Sequence, residues 1–338
     1  MILAGDIGGT KCDLAAYDER SGQLIEIKGQ RYASKDFGWF EDVVEAFLRN
    51  AGLPPESRVT GAGFGVPGPV HDGAAVATNL PWSVDSRSLA ALLGVPSVIL
   101  INDLAATAHG IGALPASDFE VLNAGAQGAR GTQAVIAAGT GLGEAGLYWD
   151  GNRHRPVSSE GGHSGMCPEN ELEDALLVHL RKRFGGHVSR ERVLSGPGIR
   201  NIYEFLRDTG RGTEEPWLRE AIERGDPAAV ISGAALEGKS PLCVQTLDLF
   251  VALYGSAAGD LAVTLLATGG VFVAGGIAPK ILPKLRGPAF LEAFFSKGRL
   301  RPVLEEIPVR VVLNERVGLL GAARCAVQSA LRHANWKD

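Results

Sequence analysis

Two glycine-rich turns, each set between short apolar runs, constrain this chain more than any other feature. Residues 2–4 are apolar and lead into Gly5-Asp6-Ile7-Gly8-Gly9-Thr10-Lys11, after which residues 12–17 return. Residues 133–138 lead into Gly139-Thr140-Gly141-Leu142-Gly143, and residues 145–149 return. Both read as strand, glycine turn, strand. Gly accounts for 45 of 338 residues, about twice the usual share of ~7%. These glycines follow no collagen-like period and form no linker. Their short clusters suit tight turns and places where backbone approaches a ligand. The recurrence reads as an internal duplication, although residue identity between the copies is low.

Composition narrows the class. Hydrophobic residues are 45% and charged residues 21%, which excludes a disordered chain. The length favours two domains. Lys+Arg is 33 against Asp+Glu 38, a net charge of -5, so the chain lacks the basic footprint of a non-specific nucleic-acid binder. Cys12, Cys167, Cys243 and Cys325 are scattered without a CxxC pair, so neither a zinc ribbon nor a disulfide framework is expected, and a reduced cytoplasm is. The opening residues have no basic n-region and meet Asp6 at once, unlike a secretory signal. The longest uncharged run, 261–279, is broken by Gly269-Gly270 and Gly275-Gly276. It reads as a helix end, a turn and a buried strand, and no membrane span is expected.

Periodicity supplies the remaining order. Strands are expected over 24–29, 58–66 and 97–101, with helices over 39–49 and 104–112. Pro67-Gly68-Pro69 stops the second of these strands. The first half is thus an antiparallel meander followed by alternating helix and parallel strand. The second half predicts helices over 171–184 and 242–266, strands over 271–274 and 309–313, and a final helix over 317–332. The charged stretch 207–226 reads as a solvated helical excursion. The returning last helix makes the first domain discontinuous, 1–113 plus 316–338, with a larger domain over 114–315.

Several residues carry candidate chemistry. In the first turn, Gly8 and Gly9 let backbone N–H groups face an anion, Thr10 adds a hydroxyl and Lys11 a positive charge. Asp6 beside it suits Mg²⁺. An ordinary hairpin is the plainer alternative. Gly139, Thr140 and Gly141 repeat the pattern, and two such hairpins fit a grip on polyphosphate. Gly275-Gly276 could accept a flat adenine, or simply turn a strand into a helix. Asn102-Asp103 follows a buried strand, where Asp103 is either a helix cap or a carboxylate on the ligand edge of the sheet. Glu160 and His163 flank Gly161-Gly162, so both can converge on one small polar group. Glu191, in a helical turn, is a surface charge or a further contact.

The ordered set resembles the bacterial glucokinases of the hexokinase superfamily, with the ribonuclease H-like, actin-like ATPase fold. The marks are Gly5-Asp6-Ile7-Gly8-Gly9-Thr10, Gly65-Val66-Pro67-Gly68-Pro69, Asn102-Asp103, Gly139-Thr140-Gly141-Leu142-Gly143, Glu160-Gly161-Gly162-His163, 191–198 and Ala274-Gly275-Gly276-Ile277. They run through nearly the whole chain. The resemblance implies two α/β domains with mixed sheets, helices around them and a cleft between. It makes Asp103 the base, and Asn102, Asp103, Glu160, His163 and Glu191 the contacts to sugar hydroxyls. Asp6, Gly8, Gly9, Thr10, Lys11, Gly139, Thr140, Gly141, Gly275 and Gly276 would hold ATP, with Mg²⁺ at Asp6. Glucose and ATP are the expected partners; nucleic acid and membrane are not, and a homodimer is admissible. The related ROK sugar kinases and repressors carry a CxCGxxGC zinc cluster after the histidine. Here residues 165–171 hold only Cys167, so no zinc is expected. The alternatives are a kinase of another hexose or an amino sugar, a polyphosphate-dependent kinase, and a sugar-responsive regulator on the same fold.

Overall fold

The computed structural model describes residues 1–20, 23–53, 58–76, 80 and 82–334, with side chains to 329. Residues 335–338 of the expected first domain lie outside these. The chain forms two compact units, one of residues 1–115 with 314–338 and one of 116–313.

In the first unit the chain runs β1 (Ile2–Ile7), β2 (Lys11–Arg20), β3 (Gln23–Ala33), α1 (Phe40–Asn50), β4 (Gly61–Val66), β5 (Ala74–Val76), β6 (Ser83–Asp85), α2 (Ser86–Leu93), β7 (Val98–Asn102) and α3 (Asp103–Ile111). A terminal helix, Val317–Ala334, completes it. The main sheet has the order β3-β2-β1-β4-β7. β1–β2 and β2–β3 are antiparallel; β1–β4 and β4–β7 are parallel. Apolar content explains the order. Central β4 is buried along its whole length, whereas edge strand β3 is largely exposed and polar. Register aligns Asp6 with Gly65, Gly65 with Ile101, and Val66 with Asn102. The carboxyl ends of three parallel strands therefore share one edge, where α/β sheets place their ligands.

Alternation sends Leu3 and Ile7 to the face covered by Phe40, Val43, Val44 and Phe47 of α1, and Ile2 and Ala4 to the face under Leu319, Ala322 and Ala323 of the terminal helix. That helix lies very close to its neighbours. A Cβ at Gly321 would lie 1.7 Å from the Ala106 carbonyl oxygen, one at Gly110 2.0 Å from that of Val317, and one at Gly63 2.4 Å from that of Ala322.

The second unit repeats the plan. Its elements are β8 (Phe119–Asn123), β9 (Gln133–Ala138), β10 (Leu142–Trp149), β11 (His154–Ser159), α4 (Glu171–Phe184), α5 (Gly196–Asp208), α6 (Pro216–Arg224), α7 (Pro227–Leu236), α8 (Pro241–Leu265), β12 (Gly270–Ala274), α9 (Leu282–Leu285), α10 (Pro288–Phe295), α11 (Arg301–Glu305) and β13 (Val309–Val312). Its sheet order is β11-β10-β9-β12-β13-β8. An antiparallel meander is again followed by two parallel strands. β8 then pairs antiparallel with β13. The duplication expected from the glycine turns is thus a duplication of topology.

Several details differ from the sequence expectations, among them these. The stretch 207–226 is not simply solvated: the largely buried Glu214 accepts hydrogen bonds from Tyr203 (2.9 Å), Arg207 (3.0 Å) and Arg219 (2.6 Å). Edge strand β11 was not anticipated, because Pro156 and an exposed polar pattern hide it. α8 is long and apolar enough to cross a membrane, but 78% of its apolar window is buried inside the protein, as in a core helix.

The glycine packing of the terminal helix is directly testable. Gly321→Ala forces a methyl group into the Ala106 backbone and should cost about 1–3 kcal/mol or more. Gly233→Ala is the control: a Cβ there meets nothing within 4 Å, and Ala in a helix should gain up to ~1 kcal/mol. Melting points that move together would contradict this packing.

Candidate active site

In the first unit the site begins at the β1–β2 turn. The Gly8 N–H donates to the Lys11 carbonyl at 2.9 Å, leaving Gly9, Thr10 and Lys11 exposed. Ser34, absent from the sequence reading, braces the turn. Its hydroxyl donates to the Gly8 carbonyl at 2.7 Å and its N–H to the Thr10 carbonyl at 3.0 Å.

Asn102 and Asp103 divide their tasks in a way that sequence left open. Asn102, not Asp103, caps α3: its side-chain oxygen accepts from the N–H groups of Leu104 (3.0 Å) and Ala105 (3.2 Å). Its amide nitrogen donates to the Gly68 carbonyl at 3.2 Å. Only one of that nitrogen's two protons is used in this bond. Asp103 is the first helical residue, half-buried, with one oxygen accepting the Leu104 N–H at 2.8 Å.

Asp6 stands close by. Its two oxygens would lie 3.4 Å from a Cβ at Gly65 and 3.3 Å from one at Gly318, and the Gly65 Cβ would be 3.6 Å from the Asp103 Cα. Gly65 and Gly318 therefore leave room for this carboxylate. Although Asp6 keeps some exposure, burial pushes its pKa up to about 7, reinforced by the charges of Asp103 and Asp13 and opposed by Lys11. A hard cation suits such a carboxylate, because it would offset the like charges while phosphate oxygens and water filled its remaining positions.

In the second unit the pieces converge on the turn from β9 to β10. Gly139 N–H donates to the Gly141 carbonyl at 2.8 Å, closing the turn. Thr140 is exposed at its apex. The Gly139 carbonyl accepts from Gly196 N–H (2.9 Å) at the start of α5, and the Ala138 carbonyl accepts from Ile277 N–H (3.2 Å). Gly275 has φ 83° and a Cβ there would lie 2.3 Å from the Ala138 oxygen, so this position requires glycine. The Gly139–Gly141 and Gly275-Gly276 elements are thus brought together, and Gly196 joins them. Fully buried Tyr254 supports the group from below: its hydroxyl accepts the Ala138 N–H at 3.1 Å and lies 3.2 Å from the Ala274 carbonyl. Nothing in the pattern of α8 singles out this tyrosine from core residues.

Glu160 and His163 are both exposed, with Glu160 Oε2 3.9 Å from His163 Nε2 across the 3-10 turn Gly161–His163. That turn sits directly on β10. A Cβ at Gly162 would lie 2.0 Å from the Leu142 carbonyl oxygen, and one at Gly161 2.2 Å from Glu144 Oε2. Glu191 reaches the same strand, accepting the Leu142 N–H at 3.1 Å. Beside it, Arg190 donates to Glu144 at 3.3 Å and to Asp260 at 3.0 Å, and Lys297 pairs with Asp260 at 2.9 Å. Burial raises the pKa of Glu144, and Arg190 opposes the shift. The signal for Glu144 was present in the sequence as an acid within the otherwise apolar β10. Among the described residues, no group of three or more His, Cys, Asp or Glu is placed to hold a metal ion.

A meander-plus-parallel sheet that occurs twice, each copy opening on a glycine hairpin, is the architecture of the actin-like sugar kinases. A glucokinase from an Antarctic psychrotroph superposes with a TM-score of 0.81 at 33% identity, over 97% of this chain and 98% of that one. A glucokinase from Balamuthia mandrillaris in complex with glucose shares the fold, with a TM-score of 0.77 at 23% identity over 96% and 93% of the two chains. The family model described as Glucokinase matches residues 3–329. A glucokinase of Trichormus variabilis is 43% identical over 97% of this chain and 99% of its own length. The chain belongs to the glucokinase family.

The electrostatics of Asp6 yield a stability prediction. Its folded pKa of about 7 exceeds the ordinary carboxylate value of 3.8, so the folded form binds the extra proton between these values. Stability is therefore lost as pH rises through that window, and the full penalty stands above it. Asp6→Asn should raise the melting point of the ligand-free protein, more at pH 8 than at pH 5. A gain independent of pH, or a loss, would contradict the assignment.

Proposed function

We propose that this chain is an ATP-dependent glucokinase that transfers the terminal phosphoryl group of ATP to the 6-hydroxyl of glucose, giving glucose 6-phosphate and ADP. The observation that carries the reading is the division of labour after β7. Asn102 supplies the N-cap and accepts from Leu104 and Ala105, while Asp103, the first helical residue, uses one oxygen for the Leu104 N–H and stands beside Asp6 on the ligand edge of the sheet.

The chemistry follows from these groups. An alcohol is a weak nucleophile at neutral pH. Asp103 accepts its proton as the new O–P bond forms and the bond to the ADP oxygen breaks. Such base catalysis contributes roughly 10²–10⁴-fold. Asp6 would hold Mg²⁺, which would supply charge neutralisation at the phosphoryl oxygens. Backbone N–H groups of the two glycine hairpins, with Thr10, Lys11 and Thr140, hold the phosphates, while Gly275 and Gly276 lie against the adenine. The spare amide proton of Asn102 and the side chains of Glu160, His163 and Glu191 read the sugar hydroxyls. Carboxylates suit this task, because a sugar lacking or inverting a hydroxyl leaves a desolvated acceptor unpaired. One cysteine in the 165–171 stretch supports a reading without zinc, and the four scattered, unpaired cysteines support a cytoplasmic setting.

A coupled assay across a panel of hexoses and amino sugars, with ATP and polyphosphate as donors, tests the function: glucose with ATP should give the highest kcat/KM. Asp103→Asn keeps shape and removes basicity, so kcat should fall by about 100-fold or more. Near-normal turnover by a folded Asp103→Asn variant would refute the base.

Specificity gives a second test. Glucose should be preferred to its 2-epimer mannose by about 1–3 kcal/mol, the cost of an acceptor that the bound sugar desolvates and leaves unpaired. Glu160→Gln should weaken glucose use and narrow that gap. Equal use of both sugars by the wild type would show that this end of the sugar is read elsewhere.

A further inference from the structure

We propose that Gly141 is a positioning residue for the sugar: its missing side chain sets the place of the Glu191 carboxylate, so one residue of the phosphate hairpin governs sugar affinity. The inference rests on the reading of Glu191 as a sugar contact and extends it to a residue that does not itself reach the sugar.

The geometry is specific. Glu191 Oε2 accepts the Leu142 N–H at 3.1 Å. A Cβ at Gly141 would lie 2.5 Å from that same oxygen and 3.4 Å from the Glu191 Cδ, and would meet nothing else within 4 Å. The Gly141 backbone is not in the left-handed region that disfavours side chains. What a side chain here would meet is therefore the carboxylate and not the turn. The backbone of Glu191 has no comparable freedom. Its carbonyl accepts from the Ser195 hydroxyl at 2.7 Å, and the preceding Arg190 is anchored to Glu144 and Asp260. A methyl group at position 141 would consequently displace the flexible end of Glu191 and remove it from the Leu142 N–H, leaving the turn in place. Leu142 makes the link tighter, since the Glu160–His163 turn rests on its carbonyl through Gly162. Both faces of one peptide position thus register sugar-side groups against the phosphate hairpin.

The test is a double-mutant cycle read by glucose titration of the full chain without nucleotide. Gly141→Ala should raise the glucose Kd by about 10-fold or more, the scale of one hydrogen bond to a charged group, with the melting point retained. Glu191→Ala should raise it at least as far. The double variant should match Glu191→Ala alone, because a displaced carboxylate that is absent costs nothing further. A Gly141→Ala variant with unchanged glucose Kd, or one whose full factor adds to that of Glu191→Ala, would overturn the positioning role while leaving the proposed function intact. Failure of the wild type to bind glucose would overturn both.

Discussion

The hydrogen bond from the Leu142 N–H to Glu191 joins the glycine turn proposed to hold nucleotide to the carboxylate proposed to read sugar. Leu142 is the first residue after the glycine turn, its side chain buried in the core. Its N–H holds a carboxylate, and its carbonyl is the surface on which Gly162 turns. A strand end is a rigid place to set such groups, because its backbone is already fixed by pairing with β9. The remaining polar structure holds this arrangement: Arg190 ties the Glu191 turn to Glu144 and Asp260, while Tyr254 and Gly196 hold the carbonyl and amide groups of residues 138 and 139. These bonds place the side chains before any ligand arrives, so the ordering cost falls on folding and not on binding.

The first unit follows a different physical logic. Its candidate site gathers like charge near the carboxyl ends of the parallel strands β1, β4 and β7, where Asp103 and Asp13 raise the pKa of Asp6 and Lys11 opposes them. The unliganded protein bears this at some expense in stability, as the raised pKa of Asp6 records. In the proposed reaction a cation at Asp6 and a proton-donating hydroxyl at Asp103 are the two species that would relieve it.

Much of this architecture was legible in the residues. The two glycine turns announced the duplicated sheet because a hairpin needs little beyond its own sequence, and the apolar periodicity of 171–184 and 242–266 marked α4 and α8 closely. Asn102, Asp103, Glu160, His163 and Glu191 could be nominated from their settings. Other features depended on long-range proximity and were hidden for that reason. The bond from Asn102 to Gly68 spans 34 positions, Tyr254 to Ala138 spans 116, and Glu191 to Leu142 spans 49. Local propensity also cannot say which of two adjacent side chains takes a cap, which is why Asn102 and Asp103 were separable only in three dimensions. Gly141 looked like a turn glycine; its neighbour across the fold gives it another reason to be glycine.

Residue-resolved hydrogen exchange of the Leu142 amide, with glucose added and nucleotide absent, tests the central link most directly. If glucose engages Glu191, it restrains the carboxylate that holds this N–H, and the amide should exchange more slowly, by about 10-fold for each ~1.4 kcal/mol of added restraint. An amide whose exchange is indifferent to saturating glucose, yet slows on addition of ATP alone, would show that Glu191 serves the phosphate hairpin only and that sugar and nucleotide are not joined at Leu142.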